Sequence, residues 1–179
     1  MAAFLLIAVA VLSRVVPHPG WLNFTAVGGA LLYFGARRPL REMWIPLLAL
    51  MATDYYLTVF FYSYPFHVSA YLVTWAWYAG VIVLGRILLA RKTSVARVSA
   101  GVLLAPTSFF LITNFAAWAG MPQLYPRSLA GLGLSYVAGL PFYRNDLLST
   151  TIVAGLAFGM PAVAHMLAQH SRSRVVSSH

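Results

Sequence analysis

The chain has 179 residues, of which 61% are hydrophobic and 8% charged, with a mean hydropathy of +0.79. A soluble domain of this length cannot bury so much apolar surface, so the composition predicts an all-α membrane protein. The formal charge of +9 comes from basic residues that flank apolar runs, which points to membrane topology and away from a nucleic-acid partner. The lack of cysteine excludes disulfides, thiolate metal sites and cysteine catalysis.

Apolar runs over residues 2–16, 22–36, 43–62, 68–89, 98–119 and 147–168 predict a six-span transmembrane helical bundle. They fill a single domain over residues 1–170, followed by a short cytoplasmic tail at 171–179. The opening MAAFLLIAVAVLSR imitates a secretion signal, but no basic segment precedes it, so it is assigned to the first span. Pro17 and Pro19 end that span, because proline lacks the amide hydrogen a helix needs. The second run is short and holds Gly28 and Gly29, which predicts a tilted, broken or half-inserted helix. Between the fifth and sixth runs, residues 127–141 are apolar but too short to span, which predicts a short extra helix or a re-entrant segment.

Nine of the twelve Lys and Arg residues fall on one side when both termini are placed in the cytoplasm. Arg37, Arg38 and Arg41, then Arg86, Arg91, Lys92 and Arg97, then Arg172 and Arg174 make up that set. The positive-inside tendency therefore predicts a multi-pass protein of the inner (plasma) membrane with both ends inside.

Against this frame the acidic residues stand out, since only three occur. Asp54 lies within the run MWIPLLALMATDYYLTVFF, and a carboxylate in hydrocarbon costs about 2.5 kcal/mol or more, so it needs a partner, a cavity or a substrate. By helical rise Asp54 lies roughly 12 Å, and Asn114 roughly 8 Å, below the outer end of its span. Arg14 lies within a turn of the outer end of the first span, and Asn23 and Thr25 open the second. Polar groups thus gather in the outer half of the bundle, with aromatics beside them, as an outward-facing pocket requires.

The candidate substrate-binding residues are Arg14, His18, Asn23, Thr25, Asp54, Thr58, Asn114, Trp118 and Tyr125. Arg14 and Asp54 are read as holding charged groups, Asn23, Thr25 and Asn114 as neutral hydrogen-bonding groups, and Trp118 and Tyr125 as a cover. An Arg14–Asp54 ion pair that fixes helix packing is an equal alternative. His18 and His67 lie in external loops without paired spacing, so no metal site is expected, and no cofactor or catalytic constellation is evident. The spacings Ala26-x-x-x-Ala30, Ala116-x-x-x-Gly120, Gly155-x-x-x-Gly159 and Ala164-x-x-x-Ala168 allow close helix approach.

This pattern resembles the substrate-binding S components of energy-coupling factor transporters, small six-span proteins that capture vitamins and metal ions. More closely, Arg14-Val-Val-Pro-His-Pro-Gly-Trp-Leu-Asn-Phe-Thr, Thr113-Asn114-Phe115-Ala-Ala-Trp118 and Leu140-Pro141-Phe142-Tyr143 resemble an uncharacterised bacterial membrane family near those proteins. The resemblance implies capture of a small-molecule substrate at the outer face and docking on a transmembrane coupling protein driven by ATPases. S components commonly carry an Ala-x-x-x-Ala docking motif on the first span, a spacing that Ala3, Ala8 and Ala10 do not give. A solitary transporter is thus open too. The rival functions are a non-transporting accessory subunit of a larger membrane complex and an intramembrane enzyme acting on a lipid or isoprenoid.

Overall fold

The computed structural model describes residues 1–16 and 22–176, with the backbone alone for 161–176. The described residues are helical and contain no strand. The helices are α1 (Ala2–Val15), α2 (Val27–Arg37), α3 (Trp44–Tyr56), α4 (Val68–Leu89), α5 (Val95–Gly120) and α6 (Leu129–Val176). A short 3-10 turn, Leu40–Glu42, leads into α3, which widens at its far end into a π-helical turn, Leu57–Phe61.

Three helical segments, Leu40–Phe61, Val68–Leu89 and Val95–Gly120, are long and apolar enough to cross a membrane, which marks the chain as a membrane protein. Their most apolar stretches are 33%, 33% and 22% buried within the bundle, so most of their apolar surface faces outward, as a lipid-solvated helix requires. Six such spans are not present among the described residues. The α1 helix has 14 residues and α2 has 11, against the roughly 20 that a bilayer crossing needs. The α2 segment is neither broken nor peripheral. Every residue from Val27 to Ala36 is buried, and the helix sits at the centre of the bundle against α1, α4 and α6.

Glycine permits this central position. A methyl group on Gly35 would run into the Ile82 carbonyl of α4, and one on Gly85 would run into the Leu32 carbonyl of α2. The two backbones therefore cross in direct contact, the close approach that small residues allow between helices. Around the crossing pack Leu31, Leu32, Phe34, Val81, Ile82 and Leu89, each at most 2% exposed. Ala26 and Ala30 are buried, whereas added methyls at Gly120, Gly155 and Gly159 would meet open space; the side chains of Ala164 and Ala168 lie outside the described residues.

The separate short helix expected between the fifth and sixth spans is continuous with the sixth. The α6 helix runs unbroken for 48 residues, straight through Pro141 and the polar triplet Arg144-Asn145-Asp146. The reason is an inward stripe at the three-to-four-residue spacing of one helix face: Gly131, Ser135, Gly139, Asp146, Thr150, Ala154 and Phe158 are buried, and Tyr143 between Gly139 and Asp146 is half-buried. The expected cytoplasmic tail at 171–179 is helical as far as Val176.

Candidate functional site

Charged side chains gather at both ends of the bundle, each end holding one ion pair among the described residues. At the end formed by the C-terminus of α2 and the start of α5, Arg38 pairs with Glu42 at 2.6 Å and lies over Phe4, while Arg37 lies over Tyr33 and Phe158. At the other end the end of α1, the start of α2, the end of α3 and the first half of α4 converge on a polar cluster.

Asp54 is the hub of that cluster. It is 2% exposed, and Arg14 Nη2 donates to its Oδ1 at 2.5 Å. The Trp75 indole donates to its Oδ2 at 2.9 Å, and a second guanidinium nitrogen of Arg14 donates to the Tyr78 hydroxyl at 3.2 Å. Both carboxylate oxygens are thus engaged within the protein, the condition for keeping a charge away from water. Thr58 donates its hydroxyl to the Asp54 backbone carbonyl at 2.7 Å and meets the Tyr71 hydroxyl at 2.5 Å. The π-helical turn begins immediately before Thr58, so the hydroxyl serves a backbone acceptor at the point where the helix widens. Phe66, Tyr71 and Trp75 stack in succession, with ring centroids 5.0 and 5.9 Å apart.

The entry to α2 is built from irregular backbone. Asn23 adopts φ 57°, a left-handed conformation that asparagine tolerates better than most residues. Asn145 of α6 donates to the Leu22 carbonyl at 2.8 Å, and the Ala26 amide donates to Ser13 Oγ of α1 at 3.0 Å. Side chains from two other helices therefore satisfy backbone groups that α2 cannot satisfy itself. Irregular backbone inside an apolar helical bundle is stable only where protein or a cavity surrounds it.

Two cavities meet at Asn23 and Phe109, which line both. The first, of about 220 Å³, is lined by Arg14, Thr25, Asp54, Tyr71, Tyr78 and Asp146 among others. The second, of about 240 Å³, lies between α5 and α6 and is lined by Thr113, Asn114, Tyr125, Gly139, Phe142 and Tyr143 among others. Gly139 lies against the Asn114 amide, where a methyl group would come within 2.5 Å of its oxygen and nitrogen. The Asn114 side-chain amide donates to the Phe110 carbonyl at 2.8 Å, and the Asn114 backbone carbonyl accepts from the Ser135 hydroxyl at 2.7 Å.

The structure thus gathers Arg14, Asn23, Thr25 and Asp54 at one cavity and Asn23, Asn114 and Tyr125 at its neighbour. Thr58 and Trp118 line neither. Thr58 is turned to backbone and Tyr71, and the Trp118 indole donates to the Pro126 carbonyl at 3.0 Å, fastening the loop after α5. His18 lies outside the described residues. Asp146, which is not among the candidate residues, lines the charged cavity from α6 and is 6% exposed; Tyr71, Trp77, Tyr78 and Phe109 line it as well. The available signal for Asp146 was its place in the small-residue stripe from Gly131 to Phe158. Among the described residues no three of His, Cys, Asp and Glu come together as a metal-binding group.

Residues 1–173 match the family of unknown function DUF6580, and the chain belongs to that family. No curated protein and no solved structure matches the chain.

Proposed function

We propose that this is a solute-binding membrane protein that captures a small molecule from the outer face for uptake, in the manner of S components of energy-coupling factor transporters. In this proposal all six helices belong to the membrane bundle, with α2 enclosed by the others, and both termini are cytoplasmic. The observation that carries it is the pair of adjoining cavities around Asn23 and Phe109, one with charged groups and one with neutral groups. A small site of aromatic walls with a few convergent polar groups is the usual form of a solute pocket. Arg14, Asn23, Thr25 and Asp54 belong to the charged half, and Asn114 and Tyr125 to the neutral half.

The test is a thermal-unfolding screen of the purified protein against vitamins, vitamin-like solutes and metal ions. Ligand stabilisation amounts to about 2.7 kcal/mol at a hundredfold excess over Kd, which raises the unfolding temperature measurably. Solutes that stabilise the wild type are expected to lose that effect on Asn23→Ala or Asn114→Ala in protein that still purifies as a monodisperse species. A screen with no stabilising solute counts against the proposal.

A second reading has its own support. Both oxygens of Asp54 are engaged by Arg14 and Trp75, as an internal brace requires, and this suits a non-transporting subunit of a larger membrane complex. Co-purification with a fixed membrane partner, together with a silent ligand screen, would favour it.

A further inference from the structure

We propose that the charged cavity takes an organic cation, with the Asp146 carboxylate as the group that holds its positive centre. This rests on the solute-binding proposal above. Asp146 is buried to 6% exposure and lines the cavity from α6, facing the elements that carry Arg14 and Asp54. Its Oδ1 accepts a long bond of 3.4 Å from Thr150 Oγ1. Among the described residues the ion pairs are Arg14–Asp54 and Arg38–Glu42, so no basic side chain pairs with Asp146.

The contrast with Asp54 decides the point. Asp54 has a guanidinium and an indole on its two oxygens, so its charge is already compensated within the protein. With both acids ionised the cavity holds two carboxylates against one guanidinium, an excess of one negative charge in a buried place. Such a charge is costly without a partner, and an incoming cation supplies one while an anion compounds the cost. Trp77, Tyr78 and Phe109 supply aromatic walls, whose faces attract cations. A bare divalent metal ion fits poorly, because it needs several oxygen ligands and the second carboxylate is already engaged. An organic cation needs one carboxylate and a hydrophobic enclosure, which is what the cavity offers. The neighbouring neutral cavity would take the uncharged remainder of the same solute.

The experiment compares benzamidine, benzamide and benzoate, which share one ring and one shape and differ in charge. Each is titrated against the full-length protein in detergent, with thermal unfolding and tryptophan fluorescence as readouts. Benzamidine is expected to stabilise the wild type with at least tenfold tighter apparent Kd than benzamide, and benzoate to have no effect. Asp146→Asn, checked for helicity and monodispersity, should erase the tenfold preference, whereas Asp146→Glu should keep the preference at weaker affinity. The Glu variant and the wild-type series remain decisive where Asp146→Asn does not fold. Benzamide or benzoate binding as tightly as benzamidine would overturn the cation assignment and leave the solute-binding proposal standing. Preference retained in Asp146→Asn would also overturn it, and so would silence from all three probes. In the last case the broader solute screen decides separately whether the site binds anything.

Discussion

Arg14 and Asp54 are separated by 40 positions in the chain and meet at 2.5 Å, with the aspartate 2% exposed. Trp75 and Tyr78 complete the contact, so one buried ion pair ties α1, α3 and α4 together. Removing one partner from such a pair leaves a charge without compensation, and the cost exceeds what the pair itself contributes.

Asp54→Asn is therefore expected to destabilise the protein by about 3–5 kcal/mol, and Arg14→Leu by a similar amount. The double variant Arg14→Leu/Asp54→Leu should lose far less than the two single losses combined, because neither charge is then stranded. Thermal unfolding of all four proteins in one detergent measures this coupling. Losses that simply add would show that the two side chains do not act as a pair.

The α2–α4 crossing makes a sharper demand on size. Gly35→Ala and Gly85→Ala each push a methyl group into an opposing carbonyl and should sharply reduce the yield of monodisperse protein. Gly155→Ala, where an added methyl meets open space, serves as the matched control and should express like the wild type. Equal behaviour of the three variants on size-exclusion chromatography would remove the crossing from the fold's requirements.

Asn23 tests backbone and side chain separately. Asn23→Gly accommodates φ 57° and should fold normally while losing the amide that both cavities share. Asn23→Val forces a branched side chain into the left-handed region and should cost about 1–2 kcal/mol. Unfolding temperatures that rank valine at or above glycine would contradict the assigned backbone conformation.

The cap that Ser13 gives α2 is a fourth target. Ser13→Ala leaves the Ala26 amide without its acceptor and should cost about 1 kcal/mol. Hydrogen exchange should quicken at the start of α2 while the α2–α4 crossing keeps its protection. Unchanged exchange there would mean that the cap is dispensable.

Much of the architecture is legible in the chain. The run at 68–89 coincides with α4 at both ends, and the apolar runs around it place α3 and α5 within a few residues. An acid isolated in an apolar run locates Asp54, since few environments accept a carboxylate there. The misreadings share one cause. The Gly28-Gly29 pair looks like a break when the segment is judged by its own composition, yet a helix at the centre of a bundle is stabilised by its neighbours. Gly28 lies against Thr150 and Gly29 against Val153, so they are contact points between α2 and α6 and not weaknesses in α2. Likewise Arg144-Asn145-Asp146 lies just outside the apolar run at 147–168, but Asn145 finds the Leu22 carbonyl and Asp146 lines a cavity, and the helix carries on through them. Leu22 lies 123 positions from Asn145, beyond what a local pattern can reveal.

A continuous α6 has a mechanical consequence. Its 48 residues amount to about 72 Å of helix, more than twice the thickness of a hydrocarbon layer. The same rod begins beside the neutral cavity, delivers Asp146 to the charged one and continues to Val176, past the end where Arg37 touches Phe158. Because α6 packs against α2 between those two ends, any tilt about that contact would move the ends in opposite directions.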